Sequence, residues 1–218
     1  MTKAKDEIIE LLVKNIPKQL IIGIIDGVYV ASTRAYDKSK DNHEGHRSYA
    51  LGIQRHIELN EVLHEIFEAN SCSPVKLSSN KIVEAQSGIF TIAKETYSGS
   101  KWQKAFNSKR KQKLIADNQY IETKVQPDLF SSSSSVISKA TVFVVCQYSG
   151  SLTQSPDAPI KIELVVPSAS ANGKSWIFHE EINAFLAHYE PKVHQIDNAM
   201  SKLKKGIIKK DGSEDNEK

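Results

Sequence analysis

The chain has 218 residues, of which 39% are hydrophobic and 25% charged, and a formal net charge of +3. A chain of that size buries a sizeable core without disulfides or metals, and so mild a charge balance does not by itself call for a nucleic-acid partner. The two cysteines, Cys72 and Cys146, lie too far apart for a CxxC pair or a close-spaced zinc site, so they read as reduced, partly buried thiols in a cytoplasmic setting.

The segment Met1 to Glu10 carries acidic side chains and no apolar core, which argues against a signal peptide. The longest apolar run, Leu20 to Ile25, is interrupted by Gly23 and falls well short of the ~20 residues a spanning helix needs. No membrane partner is expected.

Residues 3–16 predict a helix, with Ile8, Leu11 and Leu12 at helical spacing and Asp6, Glu7 and Glu10 near its positive end. Pro17 ends it and suits the first turn of a second helix. Residues 18–38 are ambiguous. The β-branched run Leu-Ile-Ile-Gly-Ile-Ile and the pair Asp26-Gly27 favour a hairpin, but Ala31 to Lys38 continues in a helical register, so a buried helix is preferred. A polar loop over 39–45 leads to a long helix over 46–69, with Ile53, Ile57, Leu63, Ile66 and Phe67 on its apolar side.

Pro74 opens a β region, read as an antiparallel meander of 75–77, 82–84 and 89–93. Residues 101–125 return to helix until Pro127, and the five serines 131–135 mark a candidate internal boundary. Strands over 139–148 and 160–167 should pair antiparallel, because the loop between them carries no helical pattern for a crossover. Residues 178–189 read as an amphipathic helix burying Ile182, Phe185, Leu186 and Tyr189, and the tail 200–218, basic and then acidic, as disordered.

The pattern predicts an α+β fold: a helix-rich N-terminal part, a small antiparallel sheet and a closing C-terminal helix. Residues 1–199 are expected to form one domain, since two strands and a short helix beyond the serine run make a poor core alone.

One segment stands apart. Between residues 101 and 113 fall six basic side chains and no acid: Lys101, Lys104, Lys109, Arg110, Lys111 and Lys113. From Asn107 to Gln112 there is no apolar residue, so a helix there must meet solvent or a charged partner. The functional reading is a surface that contacts nucleic-acid phosphates; the bland one is a solvated helix that balances acidic surface, such as the glutamates of 46–69. Trp102 and Phe106 read as anchors to the core.

No local catalytic signature is complete. Glu61 and His64 form an i, i+3 ligand pair with no second such pair, and position 68 is Glu where a zinc protease helix needs His. His179-Glu180-Glu181 fails likewise at Asn183. The carboxylate–lysine pattern of metal-dependent nucleases is broken at Pro156-Asp157 with Glu163, where Val165 replaces the lysine. Glu122-Thr123-Lys124 has the spacing but precedes its Pro127-Asp128. There is no Gly-x-Ser-x-Gly and no phosphate-cradling glycine loop. No cofactor or metal is expected.

These observations predict a non-catalytic binding or accessory protein, as in a subunit of a nucleic-acid-associated assembly, with the basic helix as its contact. The alternatives are a metal-dependent hydrolase or nuclease using Glu61 and His64 or Asp157 and Glu163, and an adaptor that binds only proteins, its own copies included.

Overall fold

The computed structural model describes residues 3–78, 81–99, 102–125 and 139–190. Helices α1 (Lys3–Asn15), α2 (Lys18–Ser39) and α3 (Glu44–Ala69) come first, followed by strands β1 (Ser73–Pro74), β2 (Glu84–Ser87) and β3 (Phe90–Ser98). Three short helices, α4 (Trp102–Ala105), α5 (Lys109–Ala116) and α6 (Gln119–Val125), precede β4 (Ala140–Tyr148), β5 (Lys161–Pro167) and β6 (Trp176–Glu181). Helix α7 (Ile182–Leu186) and a 3-10 turn, Ala187–Tyr189, follow β6. Among the described residues no helix is long and apolar enough to cross a membrane.

The strands form one six-stranded sheet in the order β1 to β6. Neighbours are antiparallel except β3 and β4, which run parallel from Phe90↔Ala140 to Ser98↔Tyr148. The α+β class is as expected, with helices at the start and a helix after the last strand, but the sheet is larger than predicted and mixed. The reason lies in residues 102–125. Read as one long helix, they only separated two groups of strands; broken into α4, α5 and α6, they return the chain to the end of the sheet where β3 began, and parallel neighbours require such a crossover. The serine run 131–135 and the tail 200–218 lie outside the described residues.

Residues 18–39 are helical throughout. Leu20, Ile24, Val28, Ala31 and Ala35 recur at helical spacing and are all fully buried, and that burial outweighs the β preference of the isoleucines. Gly27 serves helix packing rather than a hairpin turn, since a Cβ there would stand 2.2 Å from Ile66 Cδ1 of α3.

The sheet is covered on both faces. Helices α1, α2, α3 and α7 share the larger core with Phe90, Ile92, Val142, Val144 and Leu164, while Phe106, Leu114 and Ile115 of the crossover pack on Ala93, Phe143, Val145 and Val165. A central strand covered on both sides has no polar alternation, which explains the run Thr-Val-Phe-Val-Val-Cys in β4.

Several strand boundaries differ from expectation; β2 is Glu84–Ser87 rather than 82–84. Residues 75–77 lie outside any strand, β3 runs five residues past Ala93, and 178–181 belong to β6 rather than to a helix. For β3 and β6 the deciding partner is a neighbouring strand, β4 beside Lys94–Ser98 and β5 beside Phe178–Glu181.

Helix α6 is tied to the β5–β6 loop by Glu122. Its Oε1 accepts from Ser168 Oγ and Ser170 Oγ, both at 2.7 Å, and its Oε2 from the amides of Ala169 at 2.9 Å and Ser170 at 3.0 Å. Partial burial alone would raise its pKa; the four donors outweigh this and hold the carboxyl below the usual range. Glu122→Gln turns an amide NH2 against these donors and is expected to cost about 1.5–3 kcal/mol at pH 7. A depressed carboxyl pKa contributes stability above the unfolded value, about pH 4.3, and loses it as pH falls through the lower folded value. Urea midpoints for wild type and variant should therefore converge in acid; a gap that stays constant would contradict a charge-dependent tie.

Candidate functional site

A cleft of about 720 Å³ opens where β2 parts from β3. The last β2–β3 pair is Glu84↔Ala93, so Lys94, Glu95 and Thr96 continue alongside β4 with no β2 partner. Helix α3 flanks this gap with His56, and the first turn of α5 flanks it with Ser108, Lys109, Arg110 and Lys111. Lys81, Ile82 and Lys113 complete the rim. The β3 register and the two helices thus create the cleft; no contiguous motif does.

Adjacent residues of a strand point to opposite faces. Lys94 turns toward α3, where its Nζ donates to the His56 carbonyl oxygen at 3.0 Å. Glu95 turns toward α5 and pairs with Lys111, whose Nζ also donates to the Ala105 carbonyl oxygen at 2.7 Å. Arg110 Nε donates to Glu84 Oε1 at 2.6 Å, and that contact holds the guanidinium above its ordinary pKa.

Two of the cleft's cations are therefore neutralised by the sheet, while Lys81, Lys94, Lys109 and Lys113 have no carboxylate partner among the described residues. Lys94 is the unusual one. It is 2% exposed, and its single acceptor among the described residues is the His56 carbonyl. Burial pushes its ammonium down to about 8.

His56 is held by Asn60. The Asn60 side chain accepts from the Val83 amide at 3.0 Å, donates to the Lys81 carbonyl oxygen at 2.8 Å, and lies 3.2 Å from His56 Nε2. With its oxygen facing Val83, the amide nitrogen faces the imidazole, so Nε2 accepts and the proton sits on Nδ1. Burial, followed by the charges of Lys94 and Lys111, lowers the His56 pKa, so the ring is a neutral donor at pH 7.

Helix α5 starts at Ser108, whose Oγ accepts from the Lys111 amide at 3.3 Å. The amides of Lys109 and Arg110 have no acceptor among the described residues, as expected for a first turn. They add a partial positive charge on the side of the cleft where Lys109 stands. This constellation attracts anions. It offers ammonium groups, a neutral imidazole and helix amides, and a single carboxylate that is already paired.

No family model, curated protein or solved structure matches this chain.

Of the six predicted contact residues, Lys109, Arg110, Lys111 and Lys113 line the cleft; Lys104 is exposed on α4, and Lys101 lies outside the described residues. The stretch without apolar residues does lie against the sheet after all. Arg110 and Lys111 meet strand glutamates there, rather than the α3 glutamates that were expected to balance them. Phe106 is buried and Trp102 stacks at a tilt on Trp176, with ring centroids 4.4 Å apart, so both anchor the crossover.

Among the described residues the catalytic candidates do not assemble: no three His, Cys, Asp or Glu side chains gather as a metal-binding group. His64 contacts Glu68 at 3.6 Å on an outward turn of α3, where Glu61 is exposed. Glu163 contacts Lys161 and His179, and Asp157 is exposed on the β4–β5 loop. Glu180 of β6 is held by Lys5 and His188. Asp128 lies outside the described residues.

Sequence reasoning missed Lys94, Glu95, His56, Lys81 and Glu84. One signal was present: Lys94-Glu95 sits between Ile92-Ala93 and Thr96-Tyr97, a pair of charges inside a β-favouring run. Ending the strand at Ala93 hid it.

Proposed function

We propose that this protein is a non-catalytic binding module for nucleic-acid phosphates, acting as an accessory subunit, with the cleft between α3, β3 and α5 as its contact. One observation carries the reading: Lys81, Lys94, Lys109 and Lys113 converge on one concavity with no carboxylate partner among the described residues. Such a cleft concentrates anions and neutralises phosphates without reading base sequence. Arg110 and Lys111 serve mainly to fix α5 against Glu84 and Glu95, so the rim lysines Lys109 and Lys113 are the phosphate contacts.

Fluorescence anisotropy with a labelled single-stranded oligonucleotide, titrated across about 50–200 mM salt, tests this. Wild type should bind with a steep negative salt dependence. The double variant Lys109→Glu, Lys113→Glu should lose at least about tenfold in affinity at low salt, with a slope shallower by roughly one for each lysine removed. Absence of binding by the wild type at low salt would refute the reading.

A further inference from the structure

From the floor of the cleft we infer a built subsite for a phosphomonoester, the terminal phosphate of a nucleic-acid strand or of a free nucleotide, held by Lys94 Nζ and the His56 Nδ1–H. This deepens the nucleic-acid reading and rests on it for the strand-end source. Four observations carry it.

The first is the state of Lys94. An ammonium has three protons to donate, and among the described residues Lys94 Nζ has one acceptor, the His56 carbonyl oxygen at 3.0 Å. The side chain is 2% exposed, so water cannot freely serve the other two. A buried cation left short of acceptors at the base of a cavity is matched by an anion that enters it.

The second is the setting of His56. Asn60 occupies Nε2, which leaves the Nδ1 proton without an acceptor among the described residues, on a side chain that lines the same cavity. A neutral imidazole supplies a hydrogen bond without further crowding of positive charge beside Lys94 and Lys111.

The third is the opposite wall. The first turn of α5, whose Lys109 and Arg110 amides have no acceptor among the described residues, lines the cavity alongside Lys109 and Lys113. A dianion placed between α3 and α5 meets donors on both sides.

The fourth is depth. Internal phosphodiesters of a strand carry a sugar on each side and reach rim lysines more readily than a side chain that is 2% exposed. A terminal phosphate is flanked on one side only and can enter. The volume of about 720 Å³ accommodates the nucleotide attached to it and lies within the range of small-ligand sites.

The experiment compares one single-stranded oligonucleotide in three forms, with hydroxyl ends, with a 5′-phosphate and with a 3′-phosphate, alongside adenosine monophosphate and inorganic phosphate as competitors. At least one phosphorylated form should bind about tenfold more tightly than the hydroxyl form. Lys94→Met and, independently, Lys94→Gln should remove that difference, with circular dichroism confirming that each variant is folded. Adenosine monophosphate should compete away the difference.

If all three oligonucleotides bind equally and neither Lys94 variant alters their ranking, the subsite is refuted while the cleft remains a backbone contact. If no oligonucleotide binds, the nucleic-acid reading falls. The subsite then stands only on titration with adenosine monophosphate, as a free-nucleotide site if binding occurs and Lys94→Met abolishes it; without such binding it is overturned as well.

Discussion

Lys94→Met should unfold at a higher temperature than the wild type. Lys94 is almost wholly buried, and its ammonium is pushed from 10.5 down to about 8, so at pH 7 the folded state carries a charge that burial disfavours. That displacement corresponds to about 3 kcal/mol at pH 7. Methionine keeps all but the terminal atom of the side chain's length and loses one hydrogen bond, so the expected net gain is about 1–3 kcal/mol. For a chain of this size that corresponds to roughly 3–10 °C in Tm.

The sign with pH is fixed by proton binding. Between pH 8 and 10.5 the unfolded lysine binds a proton that the folded one does not, so the penalty in the wild type is relieved as pH rises and the advantage of the variant shrinks. Comparison with the variant is essential, because the buried Cys146 thiol, pushed up to about 12, acts in the opposite direction from about pH 9. Urea denaturation of both proteins at pH 7 and pH 9 measures the difference. A destabilised Lys94→Met at pH 7 would mean that Lys94 is satisfied within the fold, and the argument for an incoming anion would lose its basis. A residue that weakens folding while lining a cleft is best explained by what it binds.

Phe106→Ala should strongly destabilise the other face of the sheet. Phe106 is 1% exposed and meets Phe143 edge-on at 4.9 Å and Trp176 at 5.6 Å between ring centroids. Removing a ring from so enclosed a site costs about 3–5 kcal/mol, or roughly 10 °C in Tm. Because Phe106 lies two residues before the Ser108 cap of α5, its loss should also loosen the helix that carries Lys109 and Lys113. Oligonucleotide affinity is therefore expected to drop several-fold even at a temperature where the variant is fully folded. Calorimetry and anisotropy on the same preparation check both parts. A destabilised variant with unchanged affinity would show that α5 holds its place without the aromatic anchor.

The elements differ in how legible they were. Helix α3 announces itself as a helix by its apolar spacing, but not wholly by its face: Leu63 and Phe67 are buried as expected, whereas Ile53 and Ile57 are exposed and Glu58 and Leu59 are buried. Helix α2 was harder: its isoleucines and Asp26-Gly27 speak locally for a hairpin, and the contact of Gly27 with Ile66 and Val62 that decides the matter lies in a different helix. The basic segment was legible as a concentration of charge but not as a geometry. Its amino acids do not reveal that Arg110 and Lys111 would be consumed by Glu84 and Glu95, which leaves Lys109 and Lys113 to face outward.

By itself the sequence determined the class of fold, the three N-terminal helices and two of the three strands after the serine run, β4 and β5. These follow from periodicity and propensity, which act over a few residues. It also determined that positive charge collects between residues 101 and 113. Only the tertiary structure decided that β3 and β4 are parallel neighbours and that one cleft brings His56, Lys94 and Lys109 together. The physical reason is that pairing register and burial depend on partners distant in sequence. A lysine in β3 reads as a surface residue until α3 and β4 close over it. Burial then removes the water that would have satisfied its charge and turns an ordinary side chain into the floor of the cleft.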